Sequence, residues 1–180
     1  MLEPELLPVP GDGARQLVRR ASQKGVRIAL AESCTAGLVS GAIAETAGAS
    51  RVLWGSFVTY AAEAKVRMLG IDADLIARHG EVSREVALAM AERAREISGA
   101  DLAASITGLA GPGGNGSTVP VGVVWIGLAR RDGASEARMF RYSVPRNPLR
   151  AAAAAEALRL LAEALKEFPP PRTRSPVLAK

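Results

Sequence analysis

The chain of 180 residues has a single cysteine, Cys34, and a single histidine, His79. One thiol excludes a disulfide framework and a cluster of thiolate metal ligands, and one imidazole excludes a His-rich metal site. Two tryptophans, two tyrosines and three phenylalanines are too few for a long base-stacking platform. The longest apolar run, Val121 to Ala129, falls far short of the roughly 20 residues that span a bilayer. The first ten residues hold Glu3, Glu5 and three prolines, without the basic start and apolar stretch of an export signal. A cytoplasmic location without membrane attachment is the expectation. Lysine is scarce as well: Lys24, Lys65, Lys166 and Lys180 stand against 19 arginines.

What is present is enough for a packed core. The composition is 48% hydrophobic and 23% charged, with mean hydropathy +0.12, which fits one ordinary folded domain and not a disordered chain. The formal net charge is +5, but Pro169 to Lys180 carries Arg172, Arg174 and Lys180 and no acid. Without that stretch, 20 basic residues face 18 acidic ones. The body is thus nearly balanced, and a nucleic-acid partner is not expected.

Periodicity and punctuation divide the chain as follows. Residues 1–11 read as a flexible start and 169–180 as a Pro/Arg-rich disordered tail, with one domain over 12–168. Asp12 caps a helix with apolar positions Ala14, Leu17, Val18 and Ala21, ended by Gly25. Val26 to Ala31 reads as a buried strand, Ala36 to Ala47 as a helix, and Arg51 to Tyr60 as a strand. Short helices follow over Glu63 to Leu69 and Asp72 to His79. Ser83 caps a longer one from Arg84 to Ser98, with Gly99 just beyond its end. Strands are expected over Asp101 to Thr107, Pro120 to Ala129 and Ser135 to Val144, the last two joined at Asp132-Gly133. A final helix opens at Asn147-Pro148 and runs to Phe168. This alternation predicts an α/β fold: a single three-layer α/β/α domain around a mixed, mostly parallel sheet.

Two segments could carry chemistry. Glu32-Ser33-Cys34-Thr35 falls between a strand and a helix start, where α/β proteins bind ligands and where free N–H groups meet an oxyanion. Ser33 and Thr35 could equally be plain helix caps there. A nucleophilic serine needs a base. His79 is one candidate, although a histidine beside Gly80 also suits a helix end. Lys65 is another, because lysine, unlike arginine, can lose its proton when buried. Tyr60, at the end of the strand leading to Lys65, could join the same proton network or be an ordinary half-buried tyrosine. The second segment is the Gly-rich stretch after Thr107, which matches neither a Walker A pattern nor a dinucleotide fingerprint. It could form an anion-binding nest or a structural loop.

Five motifs occur in order: Ala31-Glu32-Ser33-Cys34-Thr35-Ala36-Gly37-Leu38, Gly55 to Tyr60 with Lys65, His79-Gly80-Glu81-Val82-Ser83, Thr107 to Gly114, and Pro120-Val121-Gly122. Over residues 12 to 168 they resemble the C-terminal domain of the competence/damage-inducible CinA proteins, which also occurs as a free-standing nicotinamide-nucleotide amidohydrolase of the PncC type. The resemblance implies a chain without the separate N-terminal domain of full-length CinA proteins. It also implies a homo-oligomer, no cofactor and no metal. The implied activity is hydrolysis of the carboxamide of nicotinamide mononucleotide (NMN) to nicotinate mononucleotide and ammonia, in pyridine nucleotide recycling. Ser33 and Lys65 would be the catalytic pair with Tyr60 assisting, and N–H groups at the following helix start would hold the oxyanion.

Substrate contacts would come from Glu32, Cys34, Thr35 and Gly37, and from Thr107, Gly108, Ala110, Gly111 and Gly113. Glu32 would face the pyridinium charge, and Arg146 or Arg150 the phosphate. Position 36, often glycine in the family, is Ala36 here, and Val123 replaces a frequent threonine. Two rival readings remain: Cys34 as the nucleophile, and a non-catalytic competence- or damage-associated binding module.

Overall fold

A computed structural model describes residues 11–113, 116 and 118–168. The expected C-terminal tail, 169–180, lies outside the described residues, as does the expected N-terminal segment apart from Gly11, which begins the first helix. In chain order the elements are α1 (Gly11–Lys24), β1 (Ile28–Glu32), α2 (Leu38–Ala44), a 3-10 turn (Ala49–Arg51), β2 (Leu53–Val58), α3 (Ala62–Leu69) and α4 (Ala73–His79). There follow α5 (Arg84–Ser98), β3 (Leu102–Gly108), β4 (Val123–Arg130), β5 (Ser135–Arg141) and α6 (Arg146–Glu167). Ser83 caps α5 by accepting from the Val86 N–H, and Gly99 ends it in the left-handed region, as the sequence predicts. The second helix differs: it begins at Leu38, because Ala36 and Gly37 both take left-handed backbone conformations (φ 50° and 95°). No helix among the described residues is long and apolar enough to cross a membrane.

The sheet order is β2-β1-β3-β4-β5, with β1 parallel to both β2 and β3, and β4 and β5 joining antiparallel. This is the three-layer α/β arrangement around a mixed sheet. Period-two alternation sorts the side chains. Ile28 and Leu30 of β1 and Leu102, Ala104 and Ile106 of β3 enter one core beneath α1, α2 and α6. Ala29, Ala31 and Ala103 enter the other, with Val86, Met90 and Ala94 of α5. Small residues on that second face let α5 lie close to the strands.

α5 comes very near the sheet at Gly127 of β4. A Cβ built there would stand 2.4 Å from the Ala87 carbonyl oxygen and 2.6 Å from Ser105 Oγ. Ser105 Oγ donates to the Ala87 oxygen at 2.5 Å and accepts the Gly127 N–H at 3.2 Å, so a buried hydroxyl ties helix to sheet.

Connectivity places a crevice at one edge. From β1 the chain goes through α2, on one face, to β2. It then returns by way of α3, α4 and α5, on the other face, to β3. The carboxyl ends of β1 and β3 therefore part at a reversal of strand order, where open α/β sheets form binding crevices.

Gly127→Ala is expected to cost about 2 kcal/mol, because α5 must move for the methyl group to fit. The urea midpoint should fall while the slope of the transition stays unchanged.

Candidate active site

β1 ends in Glu32, whose parity matches Ile28 and Leu30 and so directs it to the α2 face. There it is fully buried. Its Oε2 accepts the N–H groups of Gly37 and Val39 at 3.0 and 3.1 Å. Its Oε1 accepts the Ser40 N–H at 3.0 Å and the hydroxyls of Ser40 and Ser56 at 2.8 and 3.1 Å. The expectation that Glu32 faces a pyridinium ring is therefore corrected. Its oxygens are consumed by the start of α2, and no face of it meets the cleft. The same bonds occupy the helix N-terminal N–H groups that would have held an oxyanion. The N–H groups of Cys34 and Thr35, in the turn beside Ser33, donate to no oxygen among the described residues.

Arg150 of α6 closes the turn from behind. Its Nε donates to the Cys34 carbonyl and its Nη2 to the Thr35 carbonyl, each at 2.9 Å. Thr35 is fully buried, and its Oγ1 has no hydrogen-bond partner among the described residues; the same holds for Thr59 Oγ1. Gly37, Arg150 and the Thr35 side chain, expected at the substrate, instead build the turn, because burial or hydrogen bonding engages each of them in it.

Ser33 and Lys65 meet beneath a cleft of about 200 Å³. Lys65, from α3, is fully buried. Its Nζ lies 3.3 Å from Ser33 Oγ, 3.4 Å from the Tyr60 carbonyl oxygen and 3.1 Å from Glu81 Oε2. Ser33 Oγ in turn lies 3.4 Å from the same Tyr60 oxygen. The Tyr60 contribution at this depth is thus its carbonyl. Its ring is exposed, and its phenol oxygen accepts from Arg146 Nη2 at 2.6 Å. Arg146 Nη1 donates to the Gly111 carbonyl at 2.7 Å.

Ser33, Cys34 and Tyr60 line the cleft with Arg146 and with Thr107, Gly108 and Ala110 from the end of β3. Gly111 is one step back, as the acceptor for Arg146, and Gly113 is exposed outside the lining. His79 is also outside: its Nδ1 pairs with the Glu85 carboxylate at 3.6 Å. It does not reach Ser33. A larger groove of about 610 Å³ runs between β5 and α6, where Arg130 pairs with Glu167 and Arg138 with Glu136 and Glu163, and Lys166 also lines it.

Sequence reasoning passed over Glu81. It sits between α4 and α5, its carbonyl accepts from Thr107 Oγ1 at 2.7 Å, and its side chain is a third exposed on the cleft wall. A lone acid wedged between a helix-ending Gly80 and the N-cap Ser83 was the available signal. Cys34 is buried, which pushes its thiol up to about 11 from 9.0, despite opposing help from its own backbone N–H and from Arg150. At neutral pH the thiolate fraction is then about one in ten thousand, which makes Cys34 a poor nucleophile.

The family model for the CinA C-terminal domain matches residues 12–165. A CinA-like protein of Geobacter sulfurreducens is 44% identical over 142 residues, covering 79% of this chain and 34% of that protein. A CinA-like protein of Akkermansia muciniphila is 40% identical over 164 residues, covering 91% and 40%. The chain thus spans between a third and two-fifths of the length of these curated relatives. Among solved structures, the competence/damage inducible protein CihA from Agrobacterium tumefaciens superposes with a TM-score of 0.85 at 38% identity, covering 91% of this chain and 99% of that one.

Two outcomes follow from the buried acid and the buried thiol. Glu32→Gln should destabilise the fold by about 3 kcal/mol, since an amide presents an NH₂ group to donors that need an acceptor; thermal unfolding measures this. For Cys34, the folded value lies above the unfolded one, so its contribution is intact below pH 9 and is lost as pH rises toward about 11. The loss is about 1.4 kcal/mol per pH unit across that window. Cys34→Ala should remove this part of the alkaline destabilisation in urea titrations at pH 8 to 11.

Proposed function

The chain belongs to the CinA C-terminal domain family, and from that membership we propose that it is an amidohydrolase acting on the carboxamide of a nicotinamide nucleotide. The reading takes NMN as substrate and nicotinate mononucleotide and ammonia as products. It rests above all on a fully buried amine 3.3 Å from a serine hydroxyl at the floor of a cleft. A serine becomes nucleophilic only when a group within hydrogen-bond reach takes its proton, and Lys65 is the amine in reach.

In the reaction, uncharged Lys65 takes the Ser33 proton as Oγ bonds to the carboxamide carbon. The N–H groups of Cys34 and Thr35 stabilise the oxyanion in place of the α2 start. Lys65 then gives the proton to the departing nitrogen, which leaves as ammonia, and an ester to Ser33 remains. Water attacks that ester with Lys65 again as base, which releases the acid and restores the hydroxyl. Tyr60 positions both members of the pair through its carbonyl. Arg146, at the cleft wall and anchored by Gly111 and Tyr60, meets the phosphate, whereas Arg150 is committed to the turn.

Ammonia release from NMN tests the proposal. Ser33→Ala and Lys65→Met should each lower kcat at least about a thousandfold, while Cys34→Ala should stay within about threefold of wild type. Loss of turnover in the cysteine variant alone would overturn the serine scheme. A wild-type chain that releases no ammonia yet retains DNA after removal of residues 169–180 would favour the binding-module reading instead.

A further inference from the structure

The cleft is polarised along its length. At its reacting end Glu81 is held at two points, by Thr107 Oγ1 on its carbonyl and by Lys65 Nζ on Oε2. Its Oε1 has no hydrogen-bond partner among the described residues, and the side chain keeps a third of its surface in the open. Glu32, the other acid at this edge of the sheet, is sealed behind α2. Cys34 adds no charge at neutral pH. Arg146 lines the same cleft as a cation, fixed by Gly111 and by the Tyr60 phenol. Tyr60 spans the two poles, its carbonyl beside Lys65 and its phenol against Arg146.

Resting on the amidase reading, we propose that Glu81 is a specificity-determining residue that selects amides carried on a cationic, N-substituted pyridinium ring over the same amides on an uncharged ring. The argument is one of charge. Lys65 can accept a proton from Ser33 only in its uncharged form, and in that form Glu81 has lost the cation it pairs with. An unpaired carboxylate in a part-buried site is unfavourable. A pyridinium ring supplies the missing charge, because its carboxamide and its cationic nitrogen belong to one small ring. With the carboxamide carbon at Ser33, the ring charge falls within the field of Oε1. An uncharged dihydropyridine ring has nearly the same size and carries the same carboxamide but offers no cation to the carboxylate. The phosphate of the nucleotide meets the opposite pole at Arg146, so substrate and cleft have complementary charge patterns.

Binding to Ser33→Ala separates this from turnover. The probes are NMN and its reduced dihydro form, which share carboxamide, ribose and phosphate and differ in ring charge and in one added ring hydrogen. By calorimetry, Ser33→Ala should bind the oxidised form about tenfold more tightly than the reduced one, the size of a part-buried ion pair. Adding Glu81→Gln should erase that preference by weakening the oxidised form about tenfold, with the reduced form changed less than about twofold. Glu81→Asp, which keeps the charge, should retain the sign of the preference and serves as the control for folding. Equal weakening of both probes, no change in either, or no binding of either would overturn the proposal. Ammonia release without charge preference would leave the amidase reading standing and remove this one. Charge preference without ammonia release would remove the amidase reading and with it the role in selecting amides, leaving Glu81 a determinant of binding alone.

Discussion

The carboxyl edge of the sheet depends on one buried carboxylate. Glu32 is a strand residue placed by alternation among Ile28 and Leu30, in a core that is otherwise apolar. Such a charge is tolerable only if both oxygens are fully served. The start of α2 serves them with three backbone N–H groups, and Ser40 and Ser56 add hydroxyls. Reaching those donors forces the chain through two successive left-handed residues, Ala36 and Gly37. That turn delays the helix and leaves Ser33 at the rim, beside Cys34 and Thr35 N–H groups that donate to no oxygen among the described residues. Arg150 completes the device by gripping two carbonyls of the same turn.

The other half of the site belongs to the opposite face. Thr107, one residue out of phase with Ile106, points toward the α5 side and takes hold of the Glu81 carbonyl. Lys65 comes from α3 on that side. A nucleophile set by the α2 side thus meets an amine and an acid set by the α5 side, across the gap between β1 and β3. Neither half contains the pair alone, and the reversal of strand order brings them together.

Most elements were legible in the amino-acid sequence because their signals are local. The Ser83 cap, the Gly25 and Gly99 stops, the Asp132-Gly133 turn and the apolar runs of β1, β3 and β4 each act within a few residues. The start of α2 was not legible, since Ala36 carries no left-handed preference and residue type alone does not tell that the Glu32 side chain folds forward onto N–H groups five to eight residues ahead. Among the site residues, Ser33, Lys65 and Tyr60 were nominated from residue chemistry and family resemblance, and the fold places them side by side. Glu32 and Arg150 were assigned to a ligand although their bonds lie inside the protein. The alternation of Ile28, Leu30 and Glu32 held that answer for Glu32. Glu81 escaped because its partners are 16 and 26 residues away.

The knot of Ser105, Ala87 and Gly127 also bears on how such a chain can change over generations. A carbonyl, a hydroxyl and a hydrogen atom occupy one small volume between helix and strands. Any heavier replacement on the strand displaces the helix, and any loss of the hydroxyl strands an amide. Inheritance can therefore alter this spot only by concerted change, and α5, which begins at Arg84, three residues after Glu81, is moored at a fixed height above the strands.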